Sequence, residues 1–354
     1  MNRLNRFGAV LLGLIPLLAG CGFEEPALQL VTHEPLTRIH IPPIEGRTSL
    51  MDAMVVDPET HLLYVADGTD PVHPGVDVVD VAGAVGAYRR TIATGDAVPT
   101  GLVLVPERHR LYSGNDDGSV SVIDVDSASP ALHTVVARVT TEHTGGADLL
   151  AYDPREHRVF AAYPADGMLV AIDTQTDRVV ARIANLGTIH QPVYDPADGM
   201  IYLGEIDGNQ MLRIDPRSNA VVQHLAIEPA CEPHGIAINP RTNQGLIGCA
   251  NRDQPLTIAW DFALGRQIRT FDLAGAGDLM TYDPTSDHFL FAASNYAPAE
   301  MAVFSGSPIE YLTAVPTSHK SHTVAYDAAH RMVYTPNGIV HQAGLYAFPD
   351  PVGH

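Results

Sequence analysis

Lysine is nearly missing from this chain, where Lys320 stands alone beside 20 arginines. We read that bias as codon composition rather than a functional choice. Basic charge as a whole is scarce: 21 Lys and Arg face 41 Asp and Glu, a formal net charge of −20. Such a field repels polyanions, so no nucleic-acid partner is expected, while cationic ligands and metal ions are attracted. Missing motifs narrow the chemistry further. There is no GxxxxGK[ST] loop and no dinucleotide fingerprint, so no nucleotide cofactor is expected. GxSxG is absent and no Ser-His-Asp arrangement can be read. Without CxxCH, a covalently held c-type haem is excluded. Long helical runs are lacking too, because turn formers recur too often to leave room for several helical turns.

What is present is a dense alternation of short apolar runs and turns. Hydrophobic content of 45 %, aromatic content of 6 %, 30 Gly and 27 Pro suit many short strands joined by tight turns. The clearest unit is residues 149–183, LLAYDPREHRVFAAYPADGMLVAIDTQTDRVVARI. Its runs Leu149 to Tyr152, Arg158 to Tyr163, Met168 to Asp173 and Arg178 to Ile183 are separated by turn residues, which is the signature of four antiparallel strands. The same pattern fits the rest of the chain when laid on its first turn. Anchors fall at Pro58, Pro106, Pro154, Pro196, Pro240, Pro284 and Ala328, separated by 48, 48, 42, 44, 44 and 44 residues. That period matches a propeller blade of about 40 to 50 residues. The fold class is therefore all-β, a propeller of seven blades, and the unbroken repeat makes residues 36–354 one domain.

The runs LLYVADG (62–68), SVSVIDVDS (119–127), LVAIDTQTDRVVARI (169–183) and MLRIDPRSNAVVQHL (211–225) resemble the YVTN-repeat, or YncE-like, propellers of bacterial periplasms and surfaces. The likeness spans about 320 residues, although the literal YVTN is replaced by Tyr64-Val65-Ala66-Asp67. It implies a scaffold with varied roles and carries no particular activity.

Residues 1–20 read as a signal peptide, with Arg3 and Arg6 before an apolar Phe7 to Leu17. Leu18-Ala19-Gly20-Cys21 resembles a lipobox, so Cys21 is expected to carry lipid; the alternative is a plain signal with an incidental cysteine. Gly22 in place of Asp favours, by analogy, sorting to the outer membrane, facing the periplasm or the cell surface. Residues 21–35 are then a lipidated tether, and the membrane is a partner through that anchor. Loss of Arg3 and Arg6 leaves 19 basic against 41 acidic residues, a net −22. Leu36 to Pro42 matches the fourth strand of a blade and the C-terminus stops after a third, so the N-terminal strand is expected to complete blade seven and leave no open edge.

Cys231 and Cys249 lie in one blade, on strand ends that a hairpin turning at Pro240 to Thr242 returns to the same face. With an oxidising compartment this favours a disulfide over free thiols or metal ligands.

In this repeat the second-to-third turns and the blade-to-blade crossings share one face, the top, and the first-to-second and third-to-fourth turns share the bottom. His61, His109, His157, His288 and His330 fall in bottom turns and read as turn and packing residues. Six residues before each anchor stand Asp52, Thr100, Asp148, His190, His234, Asp278 and His322, at the top of the innermost strands around the channel. His190, His234, Asp278 and His322 form a candidate first shell for Zn, Cu, Ni or Fe. Asp52, Thr100 and Asp148 complete the rim, and Asp67, Glu205 and Asn337, nine after their anchors, face it across a hairpin. His73, His143, His319, Lys320 and His341 sit in longer top loops. Three readings stay open: a metal site, a metal-free pocket for a polar small molecule, and a solvated rim. Functionally, a binding or scaffold protein recognising an envelope protein or small-molecule ligand stands first, with Tyr163, Arg252 and Tyr296 as candidate top-face anchors. A metal-dependent hydrolase or lyase using the His/Asp ring is the alternative.

Overall fold

The computed structural model describes residues 36–83, 86–142, 145–250, 255–275, 277–294 and 298–352. The signal and tether expected over 1–35, with the Cys21 lipidation site, lie outside them, as do His143, Arg252 and Tyr296. Among the described residues no helix is long and apolar enough to cross a membrane.

Each repeat is a four-stranded antiparallel meander, and seven such sheets make the propeller. Blade three runs Leu150–Asp153, Arg158–Tyr163, Met168–Asp173 and Arg178–Ile183, the last three as expected from the alternation and the first one residue later than expected. Blade seven is composite: Ala325–Asp327, Met332–Pro336 and Leu345–Pro349 come from the C-terminus, and Thr37–Ile39 supplies its outer strand. Thr37, Arg38 and Ile39 pair with Ala347, Tyr346 and Leu345. A four-stranded blade leaves its central strands apolar on both faces, and these bury against the next blade rather than around one centre. Tyr64, Tyr112, Phe160, Tyr202, Leu246, Leu290 and Tyr334, each six residues past its anchor, are all buried. Around the seam between blades seven and one, Ile39, Ile41, Leu63, Val65, Leu345 and Ala347 form one such cluster.

The anchor turn has a local cause. The residue before the anchor accepts a backbone N–H two residues on, as Asp57 does from Glu59, Asp153 from Arg155, Asp195 from Ala197, Asn239 from Arg241 and Asp327 from Ala329. This Asx turn replaces a lost ladder bond. Blade two, which has Val105 there, uses the 3-10 turn Pro106–Arg108 instead. The turn then closes through a left-handed residue: His61, His109, His157, Gly199, Asn243, Asp287 and Arg331 all have positive φ.

Cys231 and Cys249 form a disulfide with Cα atoms 4.6 Å apart. Cys249 sits opposite Pro233 in the ladder, so the innermost and second strands of blade five are tied at their top ends.

Candidate functional site

The top ends of the innermost strands leave the sheet before the channel does. In blades one, two and five the ladder skips between Met51 and Met54, Pro99 and Leu102, and Pro233 and Ile236, so Asp52, Thr100 and His234 sit in bulges. In blades three, four, six and seven the first strand starts only at Leu150, Val193, Met280 and Ala325, after Asp148, His190, Asp278 and His322. A bulge or a loop frees a side chain from strict alternation and lets it re-aim.

The structure brings four of these residues into one group. His190 Nε2 lies 3.4 Å from one carboxylate oxygen of Asp278, and His322 Nδ1 lies 3.2 Å from the other. The His190 and His234 rings are 4.0 Å apart between centroids, tilted by 40°. One donor atom each from His190, His234 and Asp278 lies within 4.8 Å of the others. His234 Nδ1 sits 2.9 Å from the Glu232 carbonyl, to which it must donate, so its Nε2 keeps a lone pair facing away. His190 Nδ1 is buried without a hydrogen-bond partner.

His322 plays a different part from the other two imidazoles. Its Nε2 lies 2.9 Å from the Met51 carbonyl while its Nδ1 faces the Asp278 carboxylate, so both nitrogens act as donors and the ring is an imidazolium. Burial opposes that charge, but the hydrogen bond to Asp278 and the charge of Asp52 outweigh it and raise the pKa to about 9. Burial alone dominates at His190, whose pKa falls to about 4 despite the nearby Asp278, leaving a neutral ring at pH 7. For Asp278 burial pushes upward, yet the hydrogen bond from His322 and the charge of that imidazolium hold it ionised, below the usual carboxylate range. Asp52 is raised to about 6, mainly by burial, with His322 pulling it down and Asp278 pushing it up. Asp148 is raised to about 7 by burial and then by Asp52 and Asp278. The mouth therefore holds an anionic Asp278, a cationic His322, a neutral His190 and two carboxyls that titrate near neutrality.

Thr100 is at the rim but its hydroxyl donates to the Ala147 carbonyl, 2.8 Å away. Asp67, Glu205 and Asn337 stand apart from the group and tie their own second-to-third turns. Asp67 accepts from the Thr69 amide, Glu205 from the Gly208 amide and the Gln210 side chain, and Asn337 bridges Gln342 and Ile339. Of the loop residues, His73 pairs with Asp70, His319 contacts the Ser294 carbonyl and His341 the Gly46 carbonyl. Tyr163, expected as an exposed anchor, is instead fully buried, its hydroxyl donating to Gly118 in the preceding blade. The large aliphatic side chains that the top face exposes are Leu50, Val72, Leu273, Ile339 and Val340. All but Leu273 lie in top loops of blades one and seven, and their sequence signal is an apolar residue stranded among turn formers.

No protein-family model matches the chain, and no curated protein matches it in sequence. Among solved structures, 1799 chains share the architecture, which is why that likeness identifies the fold and not an activity. One of them belongs to the crystal structure of a mitotic checkpoint complex, 15 % identical, with a TM-score of 0.69 over 95 % of this chain and 98 % of that one.

Proposed function

We propose that this protein is a binding propeller of the bacterial cell envelope, YVTN-like and held to the outer membrane through lipid on Cys21, whose channel mouth takes a divalent transition-metal ion. The observation that carries the metal is the convergence of two imidazoles and one carboxylate, His190, His234 and Asp278, within 4.8 Å. Neutral imidazole suits Zn, Cu, Ni and Fe, and three protein donors leave a coordination position open. His322 orients Asp278 and keeps it ionised through the contact between its Nδ1 and the carboxylate oxygen that faces away from His190. Export is supported by the signal-like residues 1–21 and by a disulfide, which belongs to oxidising compartments. The propeller suits a binding or scaffold role, with the exposed Leu50, Val72, Ile339 and Val340 in top loops of blades one and seven as the surface for an envelope-protein partner.

Elemental analysis of the purified protein beside His234→Ala tests the metal. One equivalent of metal present in the wild type and missing from the variant supports the site; equal metal in both removes it.

A second reading, a hydrolase or lyase, is favoured by Asp148 and Asp52, whose carboxyls titrate at about 7 and 6 and can exchange protons at working pH. An ion at the mouth would add Lewis acidity. Chelator-sensitive turnover across lactones and phosphoesters would establish it, and no turnover across that panel leaves the binding protein.

A further inference from the structure

The bottom face carries a second group of donors, built differently from the first. Every first-to-second turn passes through a left-handed residue, which is histidine in blades one, two and three. Each of these rings leans on the turn of the blade before it. His109 meets Glu59 at 3.8 Å and His157 meets Glu107 at 3.7 Å, in both cases a lone ion pair between exposed groups. For His61 the blade before is the seventh, and there the ring finds another imidazole and a buried carboxylate. The His61 and His330 rings stand edge to face with centroids 5.2 Å apart. His330 Nδ1 lies 2.6 Å from Asp327 Oδ2, and Asp327 is 2 % exposed. One donor atom from each of His61, Asp327 and His330 lies within 4.8 Å of the others.

A bland account covers part of this. An acceptor side chain at the end of the first strand commonly holds the residue three further on, as Asp57 holds Thr60 and Asp283 holds Ser286. His330 fills that place in blade seven. That account leaves His61 Nδ1 buried with no partner, beside a carboxylate that is itself buried. A buried polar nitrogen without a partner costs about 1–3 kcal/mol, and the other two histidine junctions avoid the situation by opening to solvent.

We propose that His61, Asp327 and His330 form a divalent transition-metal site, of the zinc type, at the seam where blade one meets blade seven. Two imidazoles and a carboxylate are a complete three-donor set for Zn, with solvent reaching the fourth position past the exposed His330. The ion joins residues from the two ends of the described chain across the junction that closes the ring. Its role is structural: it binds the closed ring and not the opened one, and so raises the temperature at which the ring opens. The site stands on the face opposite the channel mouth and does not depend on the mouth binding metal.

The test uses the full chain with His190→Ala and His234→Ala together, which removes the mouth donors, and the same protein carrying His61→Asn as well. Asparagine tolerates the left-handed backbone at this turn, as Asn243 does in blade five. The probes are Co2+, read by its visible absorption, and Zn2+, read by thermal melting with and without chelator. Expected is one equivalent of Co2+ in the first protein and a rise of about 3–6 °C in its midpoint when Zn2+ is near a hundredfold its dissociation constant. His61→Asn should remove both while leaving the chelated midpoint within about 2 °C of its parent. A mouth-disabled protein that takes up no Co2+ overturns the proposal, as does unchanged uptake in His61→Asn and in a separate His330→Gln variant.

Discussion

The two ends of the same seven innermost strands obey different rules. At the bottom, six of the seven end in an Asp or Asn, all seven turns pass through a left-handed residue, and the side chains satisfy the backbone that the turn exposes. At the top, the corresponding positions carry Asp, Thr and His, and no backbone geometry calls for an imidazole there. Repetition at one end reflects what the fold needs. Variation confined to one polar chemistry at the other end reflects what the fold permits a ligand to select.

Substitutions should separate the two ends. The largest effect expected is on binding: His190→Ala or His234→Ala should lower the bound metal by one equivalent in elemental analysis with little change in chelated stability, whereas Asp283→Ala at a bottom turn should keep the wild-type metal content. Next is the tie at the top of blade five. Opening a disulfide that spans 18 residues should destabilise the protein by about 3 kcal/mol, read by urea melts of Cys231→Ala with Cys249→Ala. Asp283→Ala follows. It removes the acceptor for the Thr285 and Ser286 amides and should cost about 1–3 kcal/mol in the same melts.

The smallest effect is a pH dependence. His322 is raised from 6.5 to about 9, so folding favours its protonated form. Its contribution is complete below about pH 6.5 and disappears as pH climbs through about 9. With chelator present, the melting midpoint should fall across that window in the wild type and stay flatter in His322→Gln. Asp148, raised from 3.8 to about 7, gives the same sign in a lower window, and His190, lowered to about 4, gives the opposite sign below 6.5. A wild-type midpoint that does not fall between pH 6.5 and 9 would place His322 with the structural residues and blur the contrast.

Blade number, strand bounds and ring closure were legible because Asp-Pro turns and alternation are local signals repeated seven times. The Cys231 to Cys249 pairing was legible for the same reason, being contained in one hairpin. The positions around the mouth could be read by symmetry, but their roles could not. That His322 is held as a cation depends on the Met51 carbonyl in a bulge of blade one, a neighbour only once the ring has closed. Tyr163 looked like a loop aromatic and is buried because Gly118 of another blade receives its hydroxyl. His61 and His330 each read as ordinary turn residues, and nothing short of the circular order puts the first blade's turn against the last.

The short strand Thr37–Ile39 does more than remove an edge. Any pull transmitted through the chain ahead of residue 36 would arrive at three residue pairs against Leu345–Pro349, on an outer strand with no further neighbour. A force-bearing tether would peel that strand before any blade yields, exposing Leu345 and Ala347 and leaving a five-residue edge open to a strand from elsewhere.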